Sequence, residues 1–162
     1  MERYRDKTLS ARERADDLLG RMSLDEKMAQ LQCYMPRGEH TDDFGPAFPF
    51  GVGEVSCLEM RGLDTAEKAA RLQRALQRAV IGNSPRGIPA IFHIEGLCGL
   101  PVQGAISFPC GLGRGASFDP ELEEQIGRAV SGQAAALGAT HVFAPVLDVS
   151  RNPRFGRHGE SY

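Results

Sequence analysis

Two short stretches hold most of the side chains with chemistry to offer, and each follows an apolar run. Ile88-Pro89-Ala90-Ile91-Phe92-His93-Ile94 leads into Glu95-Gly96-Leu97-Cys98-Gly99-Leu100. His141-Val142-Phe143-Ala144-Pro145-Val146-Leu147 leads into Asp148-Val149-Ser150-Arg151-Asn152-Pro153-Arg154-Phe155-Gly156-Arg157. A carboxylate after one run and a guanidinium after the other would together grip vicinal hydroxyls, because hydrogen bonds with a charged partner are the stronger ones. Taken by itself, Glu95 serves equally as a loop cap or as half of an ion pair.

Two other chemistries have weaker support. Gly111-Leu112-Gly113-Arg114-Gly115 before a helix invites a nucleotide-binding reading, but its spacing is not G-x-G-x-x-G, and Ala116-Ser117-Phe118 separates it from the helix opening. Cys98 follows a strand end and would make a thiol nucleophile with His93 or His158 as base, yet the spacing shows no base with an orienting partner.

These stretches need elements to place them. Arg12 to Met22 reads as a helix. A second begins at Ser23, where Glu26 three residues on completes a capping box, and Leu24, Met28, Leu31 and Met35 would form its apolar face. A Phe-, Pro- and Gly-rich loop covers 38–50. Val52 to Leu58 reads as a strand, and Asp64, with Glu67 at its third position, caps the helix that follows. That helix puts Ala69, Leu72, Leu76 and Ala79 on one side and Arg71, Arg74 and Arg78 mostly on the other. Ile88–Ile94 is a strand of the type buried on both faces. Asp119-Pro120-Glu121 opens another helix with Pro at its first position. Leu122, Ile126, Ala129, Val130, Gln133 and Leu137 line its inner side, and Gly138 ends it. His141–Leu147 is a third strand.

Strand alternating with helix signals right-handed βαβ units on a parallel sheet, so the fold class is α/β. The pattern does not choose between a doubly wound sheet and a closed barrel. Three units are too few for an eight-stranded barrel, which takes roughly 200 residues or more. The chain is read as one unit, 1–162, with leading helices over 1–36 and βα units over 51–162. Its end in a loop straight after a strand is read as a truncation.

Composition narrows the class further. With 41% hydrophobic and 25% charged residues, the chain is a globular domain. A formal charge of −2 gives no broad basic surface for nucleic acid. No apolar run suits a signal peptide or a membrane span, so a cytoplasmic location is expected. Cys33, Cys57, Cys98 and Cys110 are widely spaced with no C-x-x-C pair, and are expected to be reduced thiols with no metal bound.

Several segments in order carry a specific resemblance: Gly87 to Leu97, Ser107-Phe108-Pro109, Phe118 to Leu122, Ala144 to Val149, and Asn152 to Arg157 with Glu160-Ser161-Tyr162. Over about Arg12 to Tyr162 the chain resembles the N-terminal domain of glycoside hydrolase family 3, and is similar to its bacterial β-glucosidase and β-xylosidase members. The resemblance implies part of a (β/α)8 barrel. It also implies a retaining, exo-acting β-glycosidase of carbohydrate metabolism that uses no cofactor, with Glu95 and Arg157 binding hydroxyls of the sugar in the −1 subsite. Arg154 and Asp148 would brace the loop, and His158, beside Arg157, is either part of the site or a solvated loop histidine.

The same resemblance places the nucleophilic Asp, a Lys-His pair and the acid/base beyond Tyr162, so no catalytic residue is assigned within the chain. A catalytically inactive sugar-binding or structural fragment is the alternative. Many relatives have histidine at Cys98 and tryptophan at Phe155. A thiol cannot supply the hydrogen bonds of an imidazole, so the preferred sugar stays open.

Overall fold

The computed structural model describes residues 2–36, 44–57 and 65–161. A 3-10 turn at Arg3–Arg5 precedes helices α1 (Ala11–Arg21) and α2 (Leu24–Ala29), strand β1 (Cys33–Tyr34) and the short helix α3 (Phe44–Ala47). Strand β2 (Glu54–Ser56), helix α4 (Ala66–Asn83), strand β3 (Ile91–Glu95), helices α5 (Gly111–Gly115) and α6 (Pro120–Leu137), and strand β4 (His141–Phe143) follow.

Helix starts are set by side-chain caps. Ser10 with Glu13, and Ser23 with Glu26, both form reciprocal capping boxes. Asp119 accepts from Leu122 N at 2.9 Å, and Gly138 ends α6 in the left-handed region at φ 86°. The cap of α4 is Thr65, whose hydroxyl accepts from Lys68 N at 3.2 Å. The expected cap Asp64 lies outside the described residues.

All four strands are parallel and lie in chain order, β1-β2-β3-β4. A doubly wound sheet would reverse its order at a switch point, whereas a barrel keeps adding strands on one side. The order, with α4 and α6 on one face, is that of an arc of a barrel. α4 and α6 pack on one face. Val55, Phe92, Ile94, Leu76 and Val80 are fully buried there, with Val130, Ala134 and Leu137 closing the layer. Truncating Phe92 to alanine in such a layer costs about 3–5 kcal/mol. Arg71, Arg74 and Arg78 are exposed, as the helical spacing requires.

Three departures from the sequence reading have physical causes. The second helix stops at Ala29 because the chain turns its backbone to the sheet: Ala29 O accepts from Gly53 N at 3.0 Å and Gln32 O from Glu54 N at 3.1 Å. Its expected apolar face is consequently in solvent, with Leu24 73%, Met28 53%, Leu31 81% and Met35 54% exposed. Buried instead are Ala29 and Glu26, the latter held by Ser23 and by Arg86 Nε at 3.2 Å. The other two departures shorten strands. β4 ends at Phe143, just before Ala144-Pro145, and β3 begins only after Pro89, since proline has no N–H for a ladder.

Candidate sugar-binding site

Successive strand residues face opposite sides of a sheet. Val55, Phe92 and Ile94 take the helical side, so Cys33, Glu54, His93, Glu95, His141 and Phe143 take the other. Glu95 is the last residue of β3, opposite Phe143 and half-buried. It thus stands at the carboxyl end of a parallel strand, where α/β folds gather their ligands.

The loop that leaves Glu95 is tightly held. Gly96 N donates to Phe143 O at 3.3 Å and Phe108 N to Cys98 O at 2.9 Å. Gly99 sits at φ 92°, and a Cβ there would lie 2.1 Å from Ile106 O, so the turn requires glycine. Arg114, its side chain only 8% exposed, locks the loop from below. Its guanidinium donates to Leu97 O at 2.7 Å and Pro109 O at 3.0 Å, and pairs with Glu123 at 2.9 Å. This brace was not legible in the sequence. The glycine-rich run that holds it looked like a phosphate loop, but folds as the five-residue α5.

The β4 loop is held by its own turns. Asn152 caps Arg154 N at 3.0 Å with its side chain and Phe155 N at 3.0 Å with its carbonyl. His158 is not merely solvated, since its Nδ1 is 2.7 Å from Ser150 Oγ. The side chains of Arg154 and Asp148, expected as braces, are exposed. Arg157, 65% exposed, gives Nε–H to Glu160 Oε1 at 2.6 Å and an Nη2–H to Glu160 Oε2. Glu160 raises the Arg157 pKa above its ordinary value, and the charge of Glu95 acts in the same direction. Glu95 thus stands at the end of β3, and Arg157, in the long loop after the adjacent β4, lies within its electrostatic reach. Two of the five guanidinium N–H groups are used, leaving three for a ligand.

Cys98 is half-buried, and among the described residues neither His93 nor His158 is hydrogen-bonded to it. A cleft of about 480 Å³ lies away from Glu95, at the start of β3, between α1 and residues 86–89. Its arginines are engaged: Arg14 donates to Tyr4 O, Arg5 to Glu2 and Arg86 to Glu26. No helix among the described residues is long and apolar enough to cross a membrane.

Residues 23–162 match the family model described as the glycosyl hydrolase family 3 N terminal domain. The chain belongs to this family. It is 32% identical over 167 residues to a putative beta-xylosidase of Formosa agariphila, covering 98% of this chain and 22% of that protein. It is 31% identical over 147 residues to a periplasmic beta-glucosidase of Salmonella typhimurium, covering 90% of this chain and 18% of that protein. A solved β-glucosidase from Erythrobacter marinus superposes with a TM-score of 0.86 at 34% identity, over 99% of this chain and 22% of that one. The chain spans about a fifth of the length of the relatives it matches.

Proposed function

We propose that these residues form part of the −1 subsite of a retaining, exo-acting β-glycosidase of the β-glucosidase or β-xylosidase type, with Glu95 and Arg157 holding hydroxyls of the sugar. What supports the reading is family membership together with Glu95 at the end of β3 and its electrostatic influence on Arg157 in the loop after β4. Glu95 accepts hydrogen bonds from sugar hydroxyls. Arg157 donates from the guanidinium edge that Glu160 leaves open, and Glu160 fixes the plane of that edge.

Hydrolysis with retention needs a nucleophilic carboxylate and an acid/base roughly 5–5.5 Å apart, and no cofactor. By family likeness both come from parts of the barrel and its neighbour not contained in these 162 residues. Glu95 is a binder in this account and not their substitute. Cys98 and Phe155, where many relatives have histidine and tryptophan, then alter the subsite's hydrogen bonding and shape, and with them the choice of sugar.

The test is hydrolysis of nitrophenyl β-glucoside and β-xyloside by a full-length protein carrying these residues, beside the isolated 162-residue chain. The longer protein should turn over at least one of them and the isolated chain neither. Turnover by the isolated chain that survives repurification and disappears in Glu95→Gln would overturn the assignment of roles.

A further inference from the structure

The face of the sheet opposite the helices carries a second constellation, centred on His93, two residues before Glu95 on β3. Cys33 on β1, Glu54 on β2 and His93 on β3 bring a thiol sulfur, a carboxylate oxygen and a ring nitrogen within 4.8 Å of one another. His141 on β4 stands directly across from His93, its Nδ1 3.5 Å from the same Glu54 Oε1. Register makes this possible, with Cys33 opposite Glu54 and His93 opposite His141.

His93 is the telling member. It is 6% exposed, and its Nδ1 has no hydrogen-bond partner although Glu54 Oε1 is only 3.0 Å away. Distance alone would make an ion pair, but the approach lacks the alignment of a hydrogen bond, and the angular criterion is the one that decides whether a proton is shared. A buried polar nitrogen left unpaired costs about 1–3 kcal/mol and asks for an explanation. A nitrogen and an oxygen lying side by side, rather than end-on, are disposed as two ligands of one third atom. Tetrahedral ligands of a zinc-like ion at about 2.0–2.3 Å are separated from each other by roughly 3.3–3.7 Å. The 3.0 Å between His93 Nδ1 and Glu54 Oε1 lies just below that range, and the Cys33 sulfur is within 4.8 Å of both.

The ring orientations are fixed by packing. His93 stacks on Phe143 at 4.5 Å and 20°, and His141 meets the same ring edge-on at 4.9 Å. Cys33 is exposed, and its sulfur, 3.7 Å from Tyr34 O, already lies within 4.8 Å of the Glu54 and His93 donor atoms.

We propose that Cys33, Glu54 and His93 form a binding site for a borderline divalent cation, of the zinc or cobalt class, that clamps β1, β2 and β3 together. A mixed thiolate, imidazole and carboxylate donor set selects such ions over magnesium or calcium, which prefer oxygen alone. Binding takes the Cys33 thiol to the thiolate and releases its proton to solvent. The role is structural and separate from hydrolysis, which needs no metal.

The test is titration of the purified, metal-stripped 162-residue chain with Co²⁺, followed by displacement with Zn²⁺. The expected result is one ion per chain, intense tetrahedral d–d bands, a thiolate-to-cobalt charge-transfer band and a raised Tm. Cys33→Ser should abolish the charge-transfer band, and Glu54→Gln should weaken binding by more than about 10-fold, since even loss of a group that only orients a ligand costs about that much. A Co²⁺ spectrum no different from the free ion at protein excess would overturn the proposal. So would tight binding unchanged in the Cys33→Ser, Glu54→Gln double variant, which would put the ion elsewhere.

Discussion

Arg114→Met keeps the aliphatic stem and removes the guanidinium that holds the loop behind Glu95. The loss can be worked from its contacts. Two backbone carbonyls, Leu97 O at 2.7 Å and Pro109 O at 3.0 Å, lose a charged donor in a place where the Arg114 side chain is only 8% exposed. At roughly 1–2 kcal/mol each, in a loop that water can partly reach, this comes to about 2–4 kcal/mol. Glu123, 48% exposed, adds at most about 1 kcal/mol as an ion pair. For a chain of this size Tm should fall by roughly 4–15 °C. Hydrogen exchange should show faster opening confined to residues 96–110, because the helices and strands keep their own bonds. Glu123→Gln is the control and should cost less than about 1 kcal/mol. Arg114→Met within about 0.5 kcal/mol of the parent would refute the reasoning. An equally large loss in Glu123→Gln would also refute it, by showing that the ion pair and not the carbonyl clasp holds the loop.

Other consequences follow from the same structure. Arg157→Lys in the full-length protein keeps the charge but loses the planar fork, so kcat/KM should drop on the order of 10- to 100-fold with Tm nearly unchanged, checked by steady-state kinetics beside a melting curve. The Ser23 backbone N–H, aided by the Arg86 charge, holds the Glu26 carboxyl below its ordinary value of 4.5 against the effect of burial. Since the folded pKa is the depressed one, that stability is present above pH 4.5 and is lost as pH falls below it; Glu26→Gln should flatten this part of the Tm-against-pH curve. Cys57, 1% exposed with its thiol pushed up to about 12 by burial, should resist alkylation in the native chain while exposed Cys33 reacts, as peptide mass mapping will show.

Much of this was legible because it is encoded locally. The Ser23 and Asp119 helix starts, the Gly138 stop, the Leu72 and Leu76 stripe and the apolar run through Phe92 are patterns of a few residues, and each forms as read. Placing Glu95 at a strand end needed only the end of the apolar run. What escaped depends on contacts between distant segments. β1 is two residues long and exists because β2 pairs with it, so no periodicity announces it, and pairing there diverted the chain that would have continued the Leu24, Met28, Leu31 helix. Arg114 sits in a glycine-rich run whose composition suggests a phosphate loop, while its role comes from carbonyls 5 and 17 residues away. Cys33, Glu54, His93 and His141 are neighbours only through strand register, which linear spacing does not encode.

The most direct measurement of the central claim is proton NMR of the first sugar released from a nitrophenyl β-glycoside by the full-length protein that carries these residues, with Glu95→Gln run in parallel. The account predicts that the β-anomer appears first and mutarotates afterwards, and that Glu95→Gln lowers kcat/KM without changing the anomer, as befits a binding carboxylate. First release of the α-anomer, or full activity in Glu95→Gln, would contradict it.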